Sequence, residues 1–245
     1  MNKFTVGAIA AVLLAFGGLV VWSSFNSGNK VNYDGYDVSK AIAADENNGN
    51  IADHTRGKKD SKVVLVEYAD LQCPGCATMM PKISKLYKKY GDRVLFIFRN
   101  YPINGHQNAR AAAAAVESAG LQDYYWEMIE TMYDNRADWI NIFDTEKRTN
   151  IFVNYFQEVS KGKGDVEKFK NGLNDSNIQK KIDFDKNIGS KRDNVDATPS
   201  FHINGEKLDL DEADEIEELI ESKLKEALKK AGLSTDPVEI DEEKK

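Results

Sequence analysis

Residues 63–76 read VVLVEYADLQCPGC. The opening run of apolar residues in this stretch is typical of a strand that is buried on both faces of a sheet. Cys73 and Cys76 follow the run and are the two cysteines of the chain. Because the chain has no further thiol for a structural disulfide or a four-thiolate metal site, the pair indicates a redox-active dithiol at a strand-to-helix turn.

A second apolar strand is predicted at residues 93–99, which read RVLFIFR and carry charge at both ends. The segment between the two strands opens at the cysteines and has the apolar spacing of a helix. A strand, a helix and a second strand in this order predict a β-α-β unit with parallel strands and a right-handed crossover.

The chain after this unit has first the pattern of helices and then that of a hairpin. Apolar residues recur at helical spacing through about residues 105–192, where core packing is the expected role of each stripe. Strand signal returns at residues 200–203, turns at Asn204 and Gly205, and precedes a last helix that Asp211 is expected to cap. The sequence therefore predicts an α/β fold in which an all-helical block separates a β-α-β half from a β-β-α half.

The amino-terminal segment has the composition of a membrane-embedded helix. Residues 4–22 carry no charged side chain and are long enough to cross the hydrocarbon core of a bilayer. The lack of a good small-x-small cleavage site favours an uncleaved anchor at residues 1–25 over a removed signal peptide. Residues 26–50 then resemble a flexible linker, and residues 233–245 a disordered acidic tail. An uncleaved anchor and a removed signal peptide both predict export to a compartment where disulfides persist.

The composition argues against several classes of function. A net charge of -7 and a hydrophobic fraction of 41% describe an ordinary soluble body, without the basic stripe that nucleic acid requires. The three histidines, His54, His106 and His202, are too dispersed to make a convincing metal site with the thiolates. We therefore expect no nucleic acid, no metal and no bound cofactor, and assign the redox chemistry to the disulfide of the C-x-x-C motif.

The order of residues in that motif predicts two unequal sulfurs. With Cys73 as helix N-cap, its sulfur faces the unpaired N–H groups of Gly75 and Cys76 at the positive end of the helix dipole, which favours the thiolate. Pro74 suits the first helical position, where an N–H has no intrahelical partner. Cys73 is thus expected to be the exposed, attacking sulfur, and Cys76 the buried, protonated sulfur that resolves the mixed disulfide.

Four ordered motifs together resemble one known family. They are residues 53–57 (DHTRG), 64–76 (VLVEYADLQCPGC), 106–112 (HQNARAA) and 197–201 (ATPSF). Over about residues 51–232 the chain resembles the DsbA-like thiol:disulfide oxidoreductases of the thioredoxin superfamily, especially their membrane-anchored Gram-positive type. The resemblance implies a thioredoxin fold with an inserted all-helical subdomain, here preceded by the N-terminal transmembrane anchor.

The resemblance also implies roles for residues outside the dithiol. Pro199 is expected to be cis and to face the cysteines, while the backbone of Thr198 pairs with an extended substrate. Glu67 lies in the first strand, where family members carry an acidic residue that relays the proton of the resolving thiol. The alternative for Glu67 is a carboxylate exposed to solvent at the end of a strand. Pro74 and Gly75 complete the expected support of the active site.

The leading functional hypothesis is a monomeric, membrane-anchored dithiol oxidase on the extracytoplasmic side. By resemblance, it donates its disulfide to unfolded or reduced exported proteins and is re-oxidised by an integral membrane quinone reductase of the DsbB or VKOR type. One alternative is an outward-facing reductase or isomerase of the thioredoxin kind. The other is a non-catalytic holdase or metal-binding module that uses the same groove.

Overall fold

The computed structural model describes residues 31–210 and 215–239. The chain divides into two compact units, Met1–Gly35 and Tyr36–Lys245. In the described part of the first unit, Tyr33–Gly35 form a single 3-10 turn. The anchor expected at residues 1–25 lies outside the described residues, and among those described no helix is both long enough and apolar enough to span a bilayer.

The described part of the second unit is built on a five-stranded sheet with the order β1-β3-β2-β4-β5. The strands are β1 (Thr55–Gly57), β2 (Val64–Ala69), β3 (Leu95–Asn100), β4 (Ser200–Ile203) and β5 (Glu206–Lys207). β2 and β3 run parallel, whereas the other neighbours are antiparallel. Every residue of β2 and β3 is buried, which explains their nearly continuous apolar sequences and confirms the predicted β-α-β unit.

Helices surround this sheet, and most of them lie between β3 and β4 in the chain. Those described are α1 (Pro74–Tyr90), α2 (Ala109–Gly120), α3 (Tyr125–Asp134), α4 (Arg136–Trp139), α5 (Thr145–Val159), α6 (Val166–Gly172), α7 (Ser176–Arg192) and α8 (Ile216–Lys230). The predicted helical insertion is therefore present as α2 to α7. The expected cap Asp211 lies outside the described residues, and Glu215 is the N-cap of α8.

Two apolar clusters account for most of the core. One joins the sheet to α1 and α8 and includes Leu65, Phe96, Ile83, Leu86 and Leu224. The other lies in the helical insertion and includes Met128, Trp139, Phe152, Phe156 and Phe169, together with both cysteines. The insertion thus supplies part of the apolar surroundings of the dithiol.

Residues 36–50, assigned from the sequence to a flexible linker, belong to the same compact unit as the sheet. The buried guanidinium of Arg99 donates hydrogen bonds to the backbone carbonyls of Val38 (3.2 Å) and Lys40 (2.9 Å). The Ile42 N–H donates to the buried carboxylate of Asp53 at 3.0 Å. The structure thus corrects the linker prediction for residues 36–50. The sequence could not reveal these contacts, because the buried Arg99 lies 59 residues after Lys40 in the chain.

The carboxy-terminal tail also makes contacts as far as it is described. Arg93 donates to the carbonyls of Ser234 (3.2 Å) and Asp236 (2.7 Å), and the Val238 N–H donates to the carbonyl of Lys89 at 3.0 Å. These contacts hold residues 234–238 against the end of α1, in contrast to the disorder expected for residues 233–245.

Candidate active site

Cys73 occupies the N-cap of α1, as the sequence predicts. Its backbone is extended (φ -69°, ψ 127°), Pro74 takes the first helical position, and the Cys73 carbonyl accepts from the Ala77 N–H at 3.1 Å. The Cys73 N–H donates to the carbonyl of Asp70 at 2.9 Å, which closes a turn between β2 and the helix. A buried strand that ends in a turn and passes directly into a helix therefore places the dithiol at the helix N-terminus.

The two sulfurs are free thiols with different exposures. Cys73 is 7% exposed and Cys76 is 0% exposed. Cys73 is the more accessible sulfur, but the expectation that it is openly exposed needs correction. Pro74 and Gly75 are exposed beside it, and the Cys73 thiol donates to the carbonyl of Thr198 at 3.5 Å, so the loop before β4 covers part of the sulfur.

The surroundings favour ionisation of Cys73 over Cys76. The hydrogen bond from the Cys76 thiol, reinforced by the backbone N–H groups of Cys76 and Gly75, lowers the pKa of Cys73 to about 5 despite partial burial. Burial raises the pKa of Cys76 far above its ordinary value, and its hydrogen bond to Cys73 and the nearby charge of Glu67 act in the same direction. A thiolate at Cys73 is therefore stabilised by a proton held on Cys76.

Glu67 is buried in the middle of β2, where it lies opposite Phe98 of β3 and Phe201 of β4. Burial raises its pKa to about 8, and the charge of Arg56 offsets only part of that effect. The alternative of a solvent-exposed strand end is wrong for this residue. At neutral pH the carboxyl group holds its proton, close enough to Cys76 to influence the ionisation of that thiol.

The loop before β4 brings Thr198 and Pro199 to the dithiol. The Thr198–Pro199 peptide bond is cis, as expected from the sequence resemblance. A Cβ placed on Gly75 would lie 3.4 Å from Cδ of Pro199 and 3.8 Å from Sγ of Cys73, so the loop and the motif are in direct apposition. A groove of about 590 Å³ runs along this loop and is lined by Asp196, Ala197, Thr198, Pro199, Lys207 and Leu208, among others.

Gln72, Asn108 and Arg136 belong to the same region but were not identified from the sequence. Arg136 donates to the carbonyl of Gln72 through Nε (2.9 Å) and Nη2 (2.5 Å). The Gln72 side chain accepts from the Asn108 N–H at 2.8 Å. Local pattern could not reveal these contacts, because the partners are 36 and 64 residues away from Gln72 in the chain.

Asp70, His54 and His106 make polar contacts elsewhere in the fold, whereas both ring nitrogens of the buried His202 have no hydrogen-bond partner among the described residues. Asp70 accepts from the N–H groups of Gln72 (2.7 Å) and Ile103 (2.8 Å) and contacts His106 at 2.8 Å. His54 contacts Glu117 at 3.1 Å. Across residues 31–210 and 215–239, no three His, Cys, Asp or Glu side chains are grouped so that they could hold a metal ion.

Comparison with known proteins adds independent information. Residues 49–222 match a protein-family model described as thioredoxin. A probable disulfide bond formation protein D from Bacillus cereus is 30% identical over 175 residues, which cover 69% of this chain and 77% of that protein. The Na(+)/H(+) antiporter NhaA 1 of Mycolicibacterium vanbaalenii is 28% identical over 210 residues, or 83% of this chain. The chain spans only 31% of the length of that antiporter.

Solved structures share the fold at lower identity. BdbD from Bacillus subtilis in its oxidised form has a TM-score of 0.61 and 23% identity, covering 78% of this chain and 99% of that one. Wolbachia pipientis alpha-DsbA1 has a TM-score of 0.59 and 21% identity, covering 73% of this chain and 92% of that one. These similarities establish the sheet and the helical insertion as a known architecture.

Proposed function

Because the chain belongs to the thioredoxin superfamily, as a DsbA-like member, we propose that it forms disulfides in exported proteins by exchange through Cys73-Pro74-Gly75-Cys76. The observation that carries the proposal is the position of Cys73 at the N-cap of α1, with its thiolate stabilised and Cys76 protonated behind it. This arrangement suits the release of Cys73 as a thiolate, and it disfavours the same role for Cys76.

The reaction begins from the oxidised protein. A client thiolate attacks Sγ of Cys73, the Cys73–Cys76 bond breaks, and its electron pair leaves on Cys76, which takes up a proton. A second client thiolate then attacks the client sulfur of the mixed disulfide. The client disulfide forms, Cys73 leaves as thiolate, and two electrons have passed from the client to the dithiol.

Glu67 is proposed as the proton donor and acceptor of Cys76. With a pKa of about 8, its carboxyl group is protonated at neutral pH and can supply the proton that the Cys76 sulfur needs when it leaves. The charge that remains on Glu67 is then partly balanced by Arg56. Arg56 is itself fixed between the rings of Tyr87 and Trp126, with centroid distances of 4.2 Å and 4.5 Å.

The backbone of Thr198 is proposed to pair with an extended client strand beside Pro199. Proline has no N–H to donate, and the groove along residues 196–200 leaves room for a strand to lie beside this loop. The client class that fits this geometry is an unfolded or reduced polypeptide.

The proposal places the dithiol outside the cytoplasm, tethered by residues 1–25. It is supported by the uncharged residues 4–22 and by a reaction that requires an oxidising compartment. The electrons would pass on to an integral membrane quinone reductase of the DsbB or VKOR type. No bound cofactor enters the scheme, because the disulfide itself accepts the electrons.

The direction of exchange separates this function from the alternative of a reductase. Whatever stabilises the reduced form makes the disulfide a stronger oxidant, and the lowered pKa of Cys73 does so at neutral pH. We expect the purified full-length chain, equilibrated with glutathione, to have a potential above that of thioredoxin, which is about -270 mV. We also expect its oxidised form to introduce disulfides into a reduced, unfolded client. A potential below that of thioredoxin would identify a reductant instead.

A further inference from the structure

The peptide unit that joins Gln72 to Cys73 is held from both sides. Its carbonyl accepts two hydrogen bonds from the guanidinium of Arg136, at 2.9 Å and 2.5 Å. Its N–H, which belongs to Cys73, donates to the carbonyl of Asp70 at 2.9 Å. Because the orientation of this peptide plane determines φ of Cys73, the two contacts fix the residue that carries the reactive sulfur.

Arg136 begins α4, so the contact comes from the helical insertion and not from the thioredoxin half of the unit. The insertion is secured to the same loop by two further bonds. The Gln72 side chain donates to the carbonyl of Ile140 (3.1 Å) and accepts from the Asn108 N–H (2.8 Å). The loop before the cysteines is therefore bound to the insertion through both its main chain and its side chain.

Asn108 makes this attachment rigid. Its side-chain amide donates to the carbonyls of Trp139 (3.0 Å), Ile140 (3.1 Å) and Ile142 (3.1 Å), and its Oδ1 accepts from Arg148 of α5 at 2.9 Å. Asn108 is 1% exposed, so little water competes for these bonds. The start of α2, the end of α4 and the start of α5 are thus held in one network around Gln72.

We propose that Arg136 is a positioning residue for Cys73: by fixing the Gln72 carbonyl, it sets the backbone conformation in which the Cys73 sulfur reaches the free N–H groups of the helix. The planar guanidinium is suited to this task because Nε and Nη2 donate to one acceptor in a fixed geometry, which a lysine ammonium cannot reproduce. The inference rests on the proposed thiol exchange, and it gives the helical insertion a role in tuning the dithiol.

The test uses Arg136→Gln and Arg136→Lys in the full-length chain. Arg110→Gln is the matched control, since it removes the same charge from an arginine of α2 whose partners are Gln179 and Asp183 of α7. The readout is the pH titration of the Cys73 thiolate by its ultraviolet absorbance, with the glutathione equilibrium measured beside it. Far-ultraviolet circular dichroism and the thermal midpoint establish that each variant is folded.

In Arg136→Gln we expect the pKa of Cys73 to rise by about one unit, a tenfold loss of thiolate relative to thiol, with a parallel shift of the glutathione equilibrium toward the protein disulfide. Arg136→Lys should show at least half of that rise, because it keeps the charge and loses the planar fork. Arg110→Gln should titrate as the wild type does.

Two results would overturn the inference. One is a wild-type titration in Arg136→Gln. The other is a wild-type pKa of Cys73 in Arg136→Lys, which would show that the positive charge alone matters. If Arg136→Gln does not fold, the lysine variant decides the question, because a wild-type titration there refutes a positioning role. A wild-type Cys73 that ionises like free cysteine would instead refute the proposed function, so the two failures are distinguishable.

Discussion

The Cys73 thiol donates a hydrogen bond to the carbonyl oxygen of Thr198, 3.5 Å away and 125 residues later in the chain. This bond exists only while Cys73 holds its proton, so ionisation exchanges it for bonds accepted from Cys76, from the side chain of Thr198 and from Gly75. The Thr198 carbonyl is then free to accept a hydrogen bond from elsewhere, such as an N–H of an incoming client. Loss of the thiol proton, whether by ionisation or by formation of the Cys73–Cys76 disulfide that a client meets, therefore frees the neighbouring backbone carbonyl.

Replacement of single cysteines should separate the two sulfurs. We expect Cys73→Ser to abolish thiol exchange with a client altogether, because the accessible sulfur is lost. Cys76→Ser, incubated with a client that already carries a disulfide, should instead accumulate a stable mixed disulfide, since its Cys73 thiolate attacks the client disulfide and no resolving thiol remains to release it. Non-reducing electrophoresis and mass spectrometry would detect the adduct. An adduct formed by Cys73→Ser but not by Cys76→Ser would reverse the assignment.

Glu67→Gln should change how stability depends on pH. The folded carboxyl has a pKa of about 8 against an ordinary value of 4.5, so the folded state binds more protons than the unfolded state between these values. The free energy of unfolding must therefore fall as pH rises through this window, by up to about 1.4 kcal/mol per pH unit. Glu67→Gln removes that contribution while keeping the shape of the side chain.

Urea unfolding at several pH values between 5 and 8 would measure the effect of Glu67→Gln. Asp185, whose pKa burial raises to about 7, titrates in the same window, so the informative quantity is the difference between variant and wild type. We expect the variant to lose less stability at the alkaline end. Equal slopes in the two proteins would show that Glu67 is ionised throughout. The client oxidation rate of the variant should also fall, because Cys76 loses its proton donor.

Asp53→Asn should destabilise the unit strongly. Asp53 accepts from Arg99 at 2.8 Å and from Lys181 at 2.8 Å, and all three side chains are buried. Loss of the Asp53 charge leaves the two buried cations with one carboxylate each, Asp193 at 3.8 Å from Arg99 and Asp185 at 2.6 Å from Lys181, at a cost of about 3 kcal/mol in the free energy of unfolding. The matched control is Asp37→Asn in the exposed pair with Lys40, which should leave stability unchanged. Similar urea midpoints for the two variants would contradict this account.

Gly75→His should make the Cys73–Cys76 disulfide a stronger oxidant. A side chain at this exposed position begins 3.8 Å from the Cys73 sulfur and meets Pro199 at ordinary contact distance. A protonated imidazole there favours the thiolate, and we expect the pKa of Cys73 to fall by about one unit in mildly acidic buffer. Gly75→Ala is the uncharged control. If it shifts the thiolate titration as much as histidine does, the effect is steric.

The sequence was sufficient for the features that depend on local pattern. The apolar runs predicted β2 and β3, the C-x-x-C motif predicted the N-cap at Cys73, and the spacing of apolar residues predicted the helical insertion. Each of these follows from neighbours within a few residues. The features that escaped prediction depend on partners far apart in the chain: the packing of residues 36–50 on Arg99 and the bonds from Arg136 to Gln72.

The limited exposure of Cys73 restricts when a client cysteine can react with it. Because Cys73 is only 7% exposed, a cysteine held inside another globular protein cannot approach its sulfur before the two backbones collide. Under the proposed function, oxidation is then confined to the interval between the export of a client and the completion of its folding. The yield of disulfide for a given client becomes a kinetic competition, in which rapid folders escape modification and slow folders receive it.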